Sequence, residues 1–332
     1  MQKIHTSMTT HRRALLSLGL ALSAFAFGVK AQPLSDRPIK IVVGAPAGGT
    51  ADIIARLVGN ALSTNLGQPV VVDNKPGAGG AIAMDAMLSA PKDGHTYLLS
   101  VNALVTELPY SIKPKYDPFK DLVPLVEIVN SPLVLIANAA LPVSNLKDMA
   151  AYVKTQPAKT SFASYSAGTS SHYAGMILNQ KAGLDLLHVP FAGSPPALAQ
   201  VMGGQISIMF DGMATSLPQV KGGKLQIYGV ASKTRSTHLP QVPTLAEEGL
   251  QDIEFGNWLG VVVSSGVAND ITDKINAAVV KAAEANKVKT RLVGAGFEAN
   301  VALTSAQLQQ SVLAEYERNA MIVKNFKIQL NP

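Results

Sequence analysis

The sequence contains no cysteine, which excludes disulfide bonds and thiolate metal ligands. It also excludes a lipid-modified thiol that could anchor the chain to a membrane. Histidine is scarce as well: the chain has six, two of them within residues 1–31, and none shows the H-x-x-x-H spacing of a metal motif. We therefore expect neither a metal site nor disulfide cross-links.

Charged residues are few, at 15% of the chain against 47% apolar residues, and aromatic residues make up only 5%. The 28 basic and 22 acidic residues give a formal charge of +6, but four basic residues and no acidic one lie within residues 1–31. Without that segment the balance is 24 to 22, a charge of +2. The sequence therefore predicts no nucleic-acid partner, and its composition suits one or two well-packed α/β domains.

Residues 1–31 have the pattern of a signal peptide. A basic start ending in His11-Arg12-Arg13 precedes an apolar run, Ala14–Phe27, which is short for a bilayer span. Val29-Lys30-Ala31 then fits a cleavage site, so we expect a soluble periplasmic product. The pattern leaves open whether Met1 or Met8 is the start, whether export is general or twin-arginine, and whether the segment stays attached as an anchor.

The first element after this leader is a strand, Ile39–Val43, followed by a glycine-rich turn and a helix. A helix that starts here leaves backbone N–H groups unpaired, and its dipole adds positive potential, so the turn is predicted to bind an anion. It is neither a Walker loop nor a G-x-G-x-x-G fingerprint, and we expect no cofactor. The candidate ligand-binding residues of this loop are Ala45, Pro46, Ala47, Gly48, Gly49 and Thr50.

Short apolar runs and helical patterns then alternate, which predicts two Rossmann-like lobes built from β-α-β units. Two long extended runs, Leu125–Ala137 and Phe255–Val263, are suited to crossing between the lobes. We predict a first lobe from residues 32–130 plus 256–332, a second from 131–255, and a cleft between them. Residues 107–124 are predicted to form a surface loop, and the C-terminal helices Asp270–Asn286 and Ser305–Asn325 to pack on the first lobe.

The predicted second lobe offers another glycine and hydroxyl-rich loop between a strand and a helix, Ser164–His172. Its candidate ligand-binding residues are Ser166, Gly168, Thr169, Ser170 and His172. If this loop faces the first one, the two would grip a small anion with two polar ends. Ordinary helix capping is the alternative, and His172, expected to be neutral beside the helix dipole, could contact the ligand or support the loop.

Three further candidates follow later strands of the predicted second lobe. Gly193 and Ser194 could line the cleft, and Asp211 could accept a hydrogen bond from a ligand or fix a turn. Asp52 is expected to pair with Arg56 rather than to face an anionic guest. No G-x-S-x-G motif is present, so Ser170 and Ser171 beside His172 give only a weak hydrolase alternative, and we expect no enzyme.

Several motifs together resemble the tripartite tricarboxylate transporter receptors, the Bug-type periplasmic solute-binding proteins. They are Pro46-Ala47-Gly48-Gly49-Thr50-Ala51-Asp52, Gly67-Gln68-Pro69-Val70-Val71-Val72-Asp73-Asn74-Lys75-Pro76-Gly77-Ala78-Gly79-Gly80, Asp93-Gly94-His95-Thr96-Tyr97, Tyr116-Asp117-Pro118-Phe119-Lys120-Asp121, Ser166-Ala167-Gly168-Thr169-Ser170-Ser171-His172, His188-Val189-Pro190-Phe191, Gly203-Gly204-Gln205, Gly223-Lys224-Leu225 and Leu239-Pro240-Gln241-Val242-Pro243-Thr244.

The resemblance implies a type II periplasmic-binding fold, no catalysis, and a small organic acid held by main-chain groups. It adds Asn102, which falls near a family asparagine, to the candidate site. Gly44 and Ala45 replace a proline and an aromatic residue that the family usually has. Ala47 replaces a second common proline, Ala103 replaces another, and Phe191-Ala192 replaces the usual tyrosine-lysine pair. The missing ring predicts a roomier pocket, which favours a larger or aromatic acid over a C4 dicarboxylate.

The sequence therefore predicts a monomeric periplasmic receptor that captures a di-, tri- or aromatic carboxylate by lobe closure. Its expected partner is a tripartite membrane permease. A receptor that reports to a membrane sensor kinase is the alternative, because the sequence does not separate transport from signalling.

Overall fold

The structure is a computed structural model, and it describes residues 37–111, 114–155, 160–299 and 305–328. The predicted signal peptide, its cleavage site and the choice of start all lie outside these residues. None of the helices within the described ranges combines the length and the hydropathy that a bilayer crossing requires.

Helices and strands alternate through most of the chain. The strands are β1 Ile39–Val43, β2 Val70–Asn74, β3 Thr96–Val101, β4 Leu122–Asn138, β5 Ser161–Ser164, β6 Leu187–Pro190, β7 Ile208–Gly212, β8 Leu225–Val230, β9 Gly256–Ser264 and β10 Glu298–Ala299. The α-helices are α1 Thr50–Leu66, α2 Ala81–Leu88, α3 Leu108–Ser111, α4 Leu146–Lys154, α5 Ser170–Lys181, α6 Ser194–Met202, α7 Met213–Lys221, α8 Asn269–Glu284, α9 Asn286–Gly294 and α10 Ser305–Asn325.

The strands pair in the order β2-β1-β3-β9-β4-β7-β5-β6, with β8 and β10 also paired to β4. β1, β2 and β3 are parallel to one another, as are β5, β6 and β7, whereas β9 is antiparallel to both of its neighbours. We call β1, β2, β3, β9 and the helices packed on them the first half, and β5 to β8 with their helices the second half. β4 belongs to both.

β4 joins the halves because its 17 residues change partner along their length. Its N-terminal part pairs with β9, for example Asn130 opposite Trp258, and its C-terminal part pairs with β7 and β8 from Leu133 onward. Successive side chains of a strand point to opposite faces. Accordingly Leu133 and Leu135 enter one apolar cluster while Val134 and Ile136 enter another, so both faces are covered. The predicted crossing by Leu125–Ala137 matches this strand.

The sequence of α1 explains both how this helix packs and where it ends. Ile54, Val58 and Leu62 recur at four-residue spacing and are buried, so one stripe of the helix packs on the sheet. The helix stops at Gly67, whose φ of 68° and ψ of 20° place it in the left-handed region that glycine adopts without a Cβ clash.

Two sequence predictions need correction. Residues 107–124 are not all loop, because a π-helical turn, Ala103–Glu107, runs into α3 and buries Leu104 and Leu108. The helix predicted at Asp270–Asn286 is also two helices. Ala285, with φ −56° and ψ 127°, breaks the chain direction between α8 and α9.

α10 does not pack on the first half alone, contrary to the prediction. Leu308 and Val312 belong to the apolar cluster of the first half, which contains Trp258. Ile322, further along the same helix, belongs to an apolar cluster on one face of the second half. Because a helix rises 1.5 Å per residue, 21 residues are long enough to reach both halves. The lobe boundaries themselves stay a prediction.

Candidate functional site

The starts of several helices surround a cavity of about 90 Å³. Residues of both halves line it: Gly44, Ala45, Gly49, Thr50, Ala51, Gly77, Gly79, Gly80, Leu99, Val101, Ala103, Leu104, Tyr165, Ser166, Thr169, Ala192, Gly193, Ser194, Asp211, Gly212 and Asn257. Most of them follow the C-terminal end of a strand. In open α/β sheets this edge is where ligands bind, which makes the cavity the candidate site.

Loops from the two halves face each other across this cavity at close range. A β-carbon built on Gly193 would lie 2.4 Å from Cδ of Pro46, and one on Gly212 would lie 3.1 Å from Oγ1 of Thr50. Because real Cβ atoms do not approach other atoms as closely as 2.4 Å, only glycine fits at position 193 in this arrangement. The first loop therefore meets the second half at Gly193 and Gly212, whereas the sequence predicted that it faces the loop Ser164–His172, which reaches the cavity through Ser166 and Thr169.

Asp52 lies in the first turn of α1 and is held by several donors. Its carboxylate accepts from Gly48 N at 2.9 Å and from Asn74 Nδ2 at 2.9 Å, and it pairs with Arg56 at 2.9 Å. Burial raises the pKa of Asp52, but the hydrogen bonds from Arg56, Gly48 and Asn74 outweigh burial and lower the pKa below its ordinary value. The predicted pairing with Arg56 is thus observed.

The first amides of α1 remain for a ligand. Gly49 caps this helix with extended backbone and provides no side chain. The next residues, Thr50 and Ala51, border the cavity. A helix provides no internal acceptor for its first amides, and its dipole makes this end favourable for an anion.

At α5 the corresponding position is already occupied. Glu107, from the π-helical turn of the first half, accepts from Ser170 N at 2.7 Å and from Ser170 Oγ. The side chain of Glu107 is fully buried, and this burial, followed by the nearby Glu315, raises its pKa to about 8. The prediction that Ser170 contacts a ligand is therefore not supported, because Ser170 does not line the cavity and both of its donors bond to an internal carboxyl group.

Two histidines support the second loop from behind. Gly168 N donates to Nδ1 of His172 at 3.1 Å, which requires a neutral ring protonated on Nε2. This ring stacks on His188 with centroids 3.9 Å apart. Burial, and then His188, lowers the pKa of His172 to about 3, so burial rather than the expected helix dipole is the main cause. Neither Gly168 nor His172 lines the cavity.

His188 continues this support toward Ser166. Ser164 Oγ donates to the Ser166 carbonyl at 2.9 Å and lies 2.7 Å from Nε2 of His188. Because a hydroxyl has one proton, His188 must donate to Ser164. Thr169 Oγ1 also donates to the Ser166 carbonyl, at 2.7 Å. The backbone of Ser166 is thus fixed at the edge of the cavity.

Asn102 is not part of the cavity wall. It is fully buried, and its Nδ2 donates to Glu315 Oε1 at 2.6 Å and to Glu107 Oε1 at 3.2 Å. Glu315 also accepts from Trp258 Nε1 at 3.0 Å. Asn102 therefore links two buried acids, which differs from the ligand contact implied by the family resemblance.

Asp211 and Ser194 do reach the cavity. Oδ2 of Asp211 accepts from Thr215 Oγ1 at 2.6 Å and from Ser216 Oγ at 2.9 Å, while burial raises its pKa. These bonds fix the start of α7, which was the turn alternative. Oγ of Ser194 is near enough to Asp211 to favour the carboxylate, but the geometry falls short of a hydrogen bond. This buried hydroxyl is therefore unpartnered.

The predicted residues divide into two groups. Those lining the cavity are Ala45, Gly49, Thr50, Ser166, Thr169, Gly193, Ser194 and Asp211. Those outside its wall are Pro46, Ala47, Gly48, Asn102, Gly168, Ser170 and His172.

The sequence analysis missed the remaining residues of the cavity wall. The lining residues it left out include Tyr165, Asn257 and the turn from Gly77 to Gly80. Tyr165 lies inside the predicted loop Ser164–His172, and Gly77–Gly80 is the glycine turn of a family motif, so the sequence contained a signal for both. Tyr165 donates its hydroxyl hydrogen to Oδ1 of Asn257 at 3.2 Å, which connects the second half to β9.

The geometry does not support the hydrolase alternative. Ser170 Oγ bonds to Glu107 and Ser171 Oγ donates to the Phe210 carbonyl at 2.6 Å, so neither hydroxyl is placed on His172. Ser164 does contact His188, but it is fully buried and outside the cavity wall. Within the described residues there is also no group of three or more His, Asp or Glu side chains that could hold a metal ion.

A mixed α/β sheet whose long strand β4 runs through both halves, with helix starts around a cavity, is typical of the class of periplasmic solute-binding proteins. Residues 54–328 match the model of the tripartite tricarboxylate transporter family receptor, and the chain belongs to this family.

Curated relatives agree with this assignment. A UPF0065 protein in the tcbD-tcbE intergenic region of Pseudomonas sp. (strain P51) is 34% identical over 93% of this chain and 96% of its own length. Protein BugT of Bordetella pertussis is 31% identical over 95% of this chain and 97% of its own length.

Solved structures are similar as well. The periplasmic binding protein BugD is 31% identical with a TM-score of 0.83, covering 89% of this chain and 99% of BugD. MatC from Rhodopseudomonas palustris, with bound malate, is 31% identical with a TM-score of 0.79, covering 86% and 99%. An R. palustris protein with adipate is 26% identical with a TM-score of 0.83, covering 88% and 98%.

Proposed function

We propose that this protein is a periplasmic receptor that binds a small organic carboxylate in the cavity between its halves. The carboxylate would accept from the amides of Thr50 and Ala51 at the start of α1 and from the hydroxyl of Ser194. The observation that carries this proposal is Ser194 Oγ, which is buried without a hydrogen-bond partner and lines the same cavity as Thr50 and Ala51, whose amides have no acceptor within α1. An unpaired buried hydroxyl is costly unless a ligand satisfies it.

The relatives support the class of ligand. One similar structure holds malate and another holds adipate, and both ligands are carboxylates. Micromolar binding corresponds to about 8 kcal/mol, which a few charge-assisted hydrogen bonds and a buried carbon chain supply after ordering costs. No covalent step is needed.

Delivery of the ligand by closure of two lobes to a tripartite permease completes the proposal. The close approach of Gly193 to Pro46 is what supports closure, since contact at this range requires the halves to be together. A membrane sensor kinase is the other candidate partner. Pull-down of ligand-loaded protein with either a permease subunit or a sensor kinase distinguishes the two.

The direct test is native mass spectrometry of the undenatured protein, followed by calorimetric titration with a panel of mono-, di- and tricarboxylates. Trp258 provides a second signal, because it is buried on β9, opposite Asn130 of β4, and bonds to Glu315. We expect its emission to change on binding. A panel in which no carboxylate produces heat or a change in emission contradicts the proposal.

A further inference from the structure

The wall of the cavity contains a carboxyl group of the chain itself, that of Asp211. This residue lies in β7 and is 1% exposed. Among the described residues that line the cavity, only Asp211 and Tyr165 have titratable side chains, and there is no lysine, arginine or histidine. A ligand carboxylate would therefore share this cavity with an acid and with no basic side chain.

Asp211 lies beside the place proposed for the ligand carboxylate. The next residue, Gly212, is close to the start of α1, since a β-carbon on Gly212 would lie 3.1 Å from Oγ1 of Thr50. Ser194, whose hydroxyl is the other proposed donor, is near the carboxyl group of Asp211 as well. Two ionised carboxylates repel each other strongly in a buried site, and such a pair instead binds one shared proton.

The surroundings of Asp211 favour its acid form. Thr215 Oγ1 and Ser216 Oγ both donate to Oδ2, at 2.6 and 2.9 Å, and the hydroxyl of Ser194 and the amide of Gly212 also lie near. All of these donors are neutral, and burial outweighs them and raises the pKa of Asp211. Because Oδ2 already accepts two hydrogen bonds, a proton on this group belongs on Oδ1. The resulting O–H is a donor that a carboxylate can accept.

The groups that face Asp211 from neighbouring elements do not replace this proton. From β4, α6 and α7 they are residues that do not titrate, namely Val134, Ser194, Thr215 and Ser216. Burial, followed by Glu107 and Asp211, raises the pKa of Tyr165, so its hydroxyl is neutral at pH 9 and below. Glu107 is an acid too, but it bonds to Ser170 and does not line the cavity.

We propose that Asp211 binds the ligand as an acid, donating a hydrogen bond from Oδ1 to the ligand carboxylate, so that the two groups share one proton. Asp211 is then a donor to the ligand, whereas the sequence predicted an acceptor or a turn residue. This inference rests on the proposed function, since it assumes that a carboxylate binds at Thr50 and Ser194. The complex binds one proton more than the ligand and an ionised Asp211 bind separately, so ligand affinity falls as pH rises.

The test is calorimetric titration of the wild type between pH 6.5 and pH 9, with a carboxylate that binds and that is fully ionised over this range. Each pH is measured in two buffers of different ionisation enthalpy. We expect Kd to rise up to about tenfold per pH unit, and the heat to differ between buffers by the uptake of up to one proton. A Kd and a heat that depend on neither pH nor buffer overturn the inference and leave the receptor function intact. If no carboxylate binds at any pH, the proposed function itself fails.

A pair of variants separates Asp211 from the other buried acid. Asp211→Asn keeps an oxygen for Thr215 and Ser216 and offers the ligand an N–H donor that does not titrate, so its Kd is expected to be constant over this pH range. Glu107→Gln removes the acid whose pKa is raised by burial to about 8, and it is expected to keep the wild-type pH dependence.

Thermal unfolding shows whether each variant is folded. The inference is overturned if folded Asp211→Asn keeps the wild-type pH dependence, or if Glu107→Gln alone abolishes it. If Asp211→Asn does not fold, the proton uptake of Glu107→Gln decides: uptake equal to that of the wild type supports Asp211, and its loss overturns the inference.

Discussion

Ser194→Ala should change stability and ligand affinity in opposite directions. Ser194 is 8% exposed and its buried hydroxyl has no hydrogen-bond partner, and such a group costs about 1–3 kcal/mol. Its removal is expected to raise the free energy of unfolding by about 1 kcal/mol. The same hydroxyl would donate to the ligand carboxylate, and a hydrogen bond to a charged group contributes about 1.5–3 kcal/mol. We therefore expect Kd to rise about 10- to 100-fold.

Urea unfolding without ligand measures the first effect, and calorimetric titration with a carboxylate that binds the wild type measures the second. Ser236→Ala is the matched control, because Ser236 is also buried but accepts from the His238 amide at 3.2 Å and does not line the cavity. This control is expected to lose about 1 kcal/mol of stability and to keep its affinity.

The reasoning is refuted if Ser194→Ala binds the ligand as tightly as the wild type. A loss of stability comparable to that of Ser236→Ala would also contradict it, because the loss would show that Ser194 Oγ has a partner in the free protein.

Three further predictions concern the surroundings of the cavity. Gly193→Ala would bring a β-carbon against Pro46, and we expect this overpacking to raise the Kd of the ligand at least about tenfold in calorimetric titration. The control is Gly223→Ala, which is also at positive φ but has open space around it, so it should lose stability and keep its affinity. Equal affinities of the two variants would contradict the close approach of Gly193 to Pro46. Burial lowers the pKa of His188 from 6.5 to about 4, so between these pH values the unfolded chain binds a proton that the folded chain does not bind. The free energy of unfolding should therefore fall as pH drops from 6.5 toward 4. In urea unfolding at a series of pH values, His188→Phe should show a shallower fall, and an identical fall would refute this. Burial raises the pKa of Glu107 from 4.5 to about 8, so its contribution to stability is fully present below pH 4.5 and is lost as pH rises toward 8. In urea unfolding at each pH, Glu107→Gln should lose less stability than the wild type between pH 5 and pH 8. An equal loss would show that another group titrates in this range.

Much of the fold follows from local sequence patterns. Apolar runs such as Ile39–Val43 and the four-residue spacing of Ile54, Val58 and Leu62 predicted β1 and α1 because these periods depend only on near neighbours. The turn at Ala103–Glu107 was missed because prolines further along favoured a loop. Its helical geometry depends on burying Leu104 against the sheet, which is a tertiary effect.

The site was predictable only where it is made of backbone. The glycine turn before Thr50 and the loop containing Ser166 and Thr169 have local signatures, and both line the cavity. Ser170 has the same local signature, but its donors bond to Glu107, which is 63 residues away in sequence. No local pattern contains that pairing, since it arises only when the two halves meet.

α10 has a consequence for how far the two halves can separate. Leu308 and Val312 fix one end of this rod in the first half, while Ile322 fixes the other end in the second. A wide hinge opening would have to expose one of these anchors, and each fully buried aliphatic side chain contributes about 1.5–3 kcal/mol. We therefore expect a short-range rotation about the axis of α10, with both anchors kept, instead of a wide jaw-like swing.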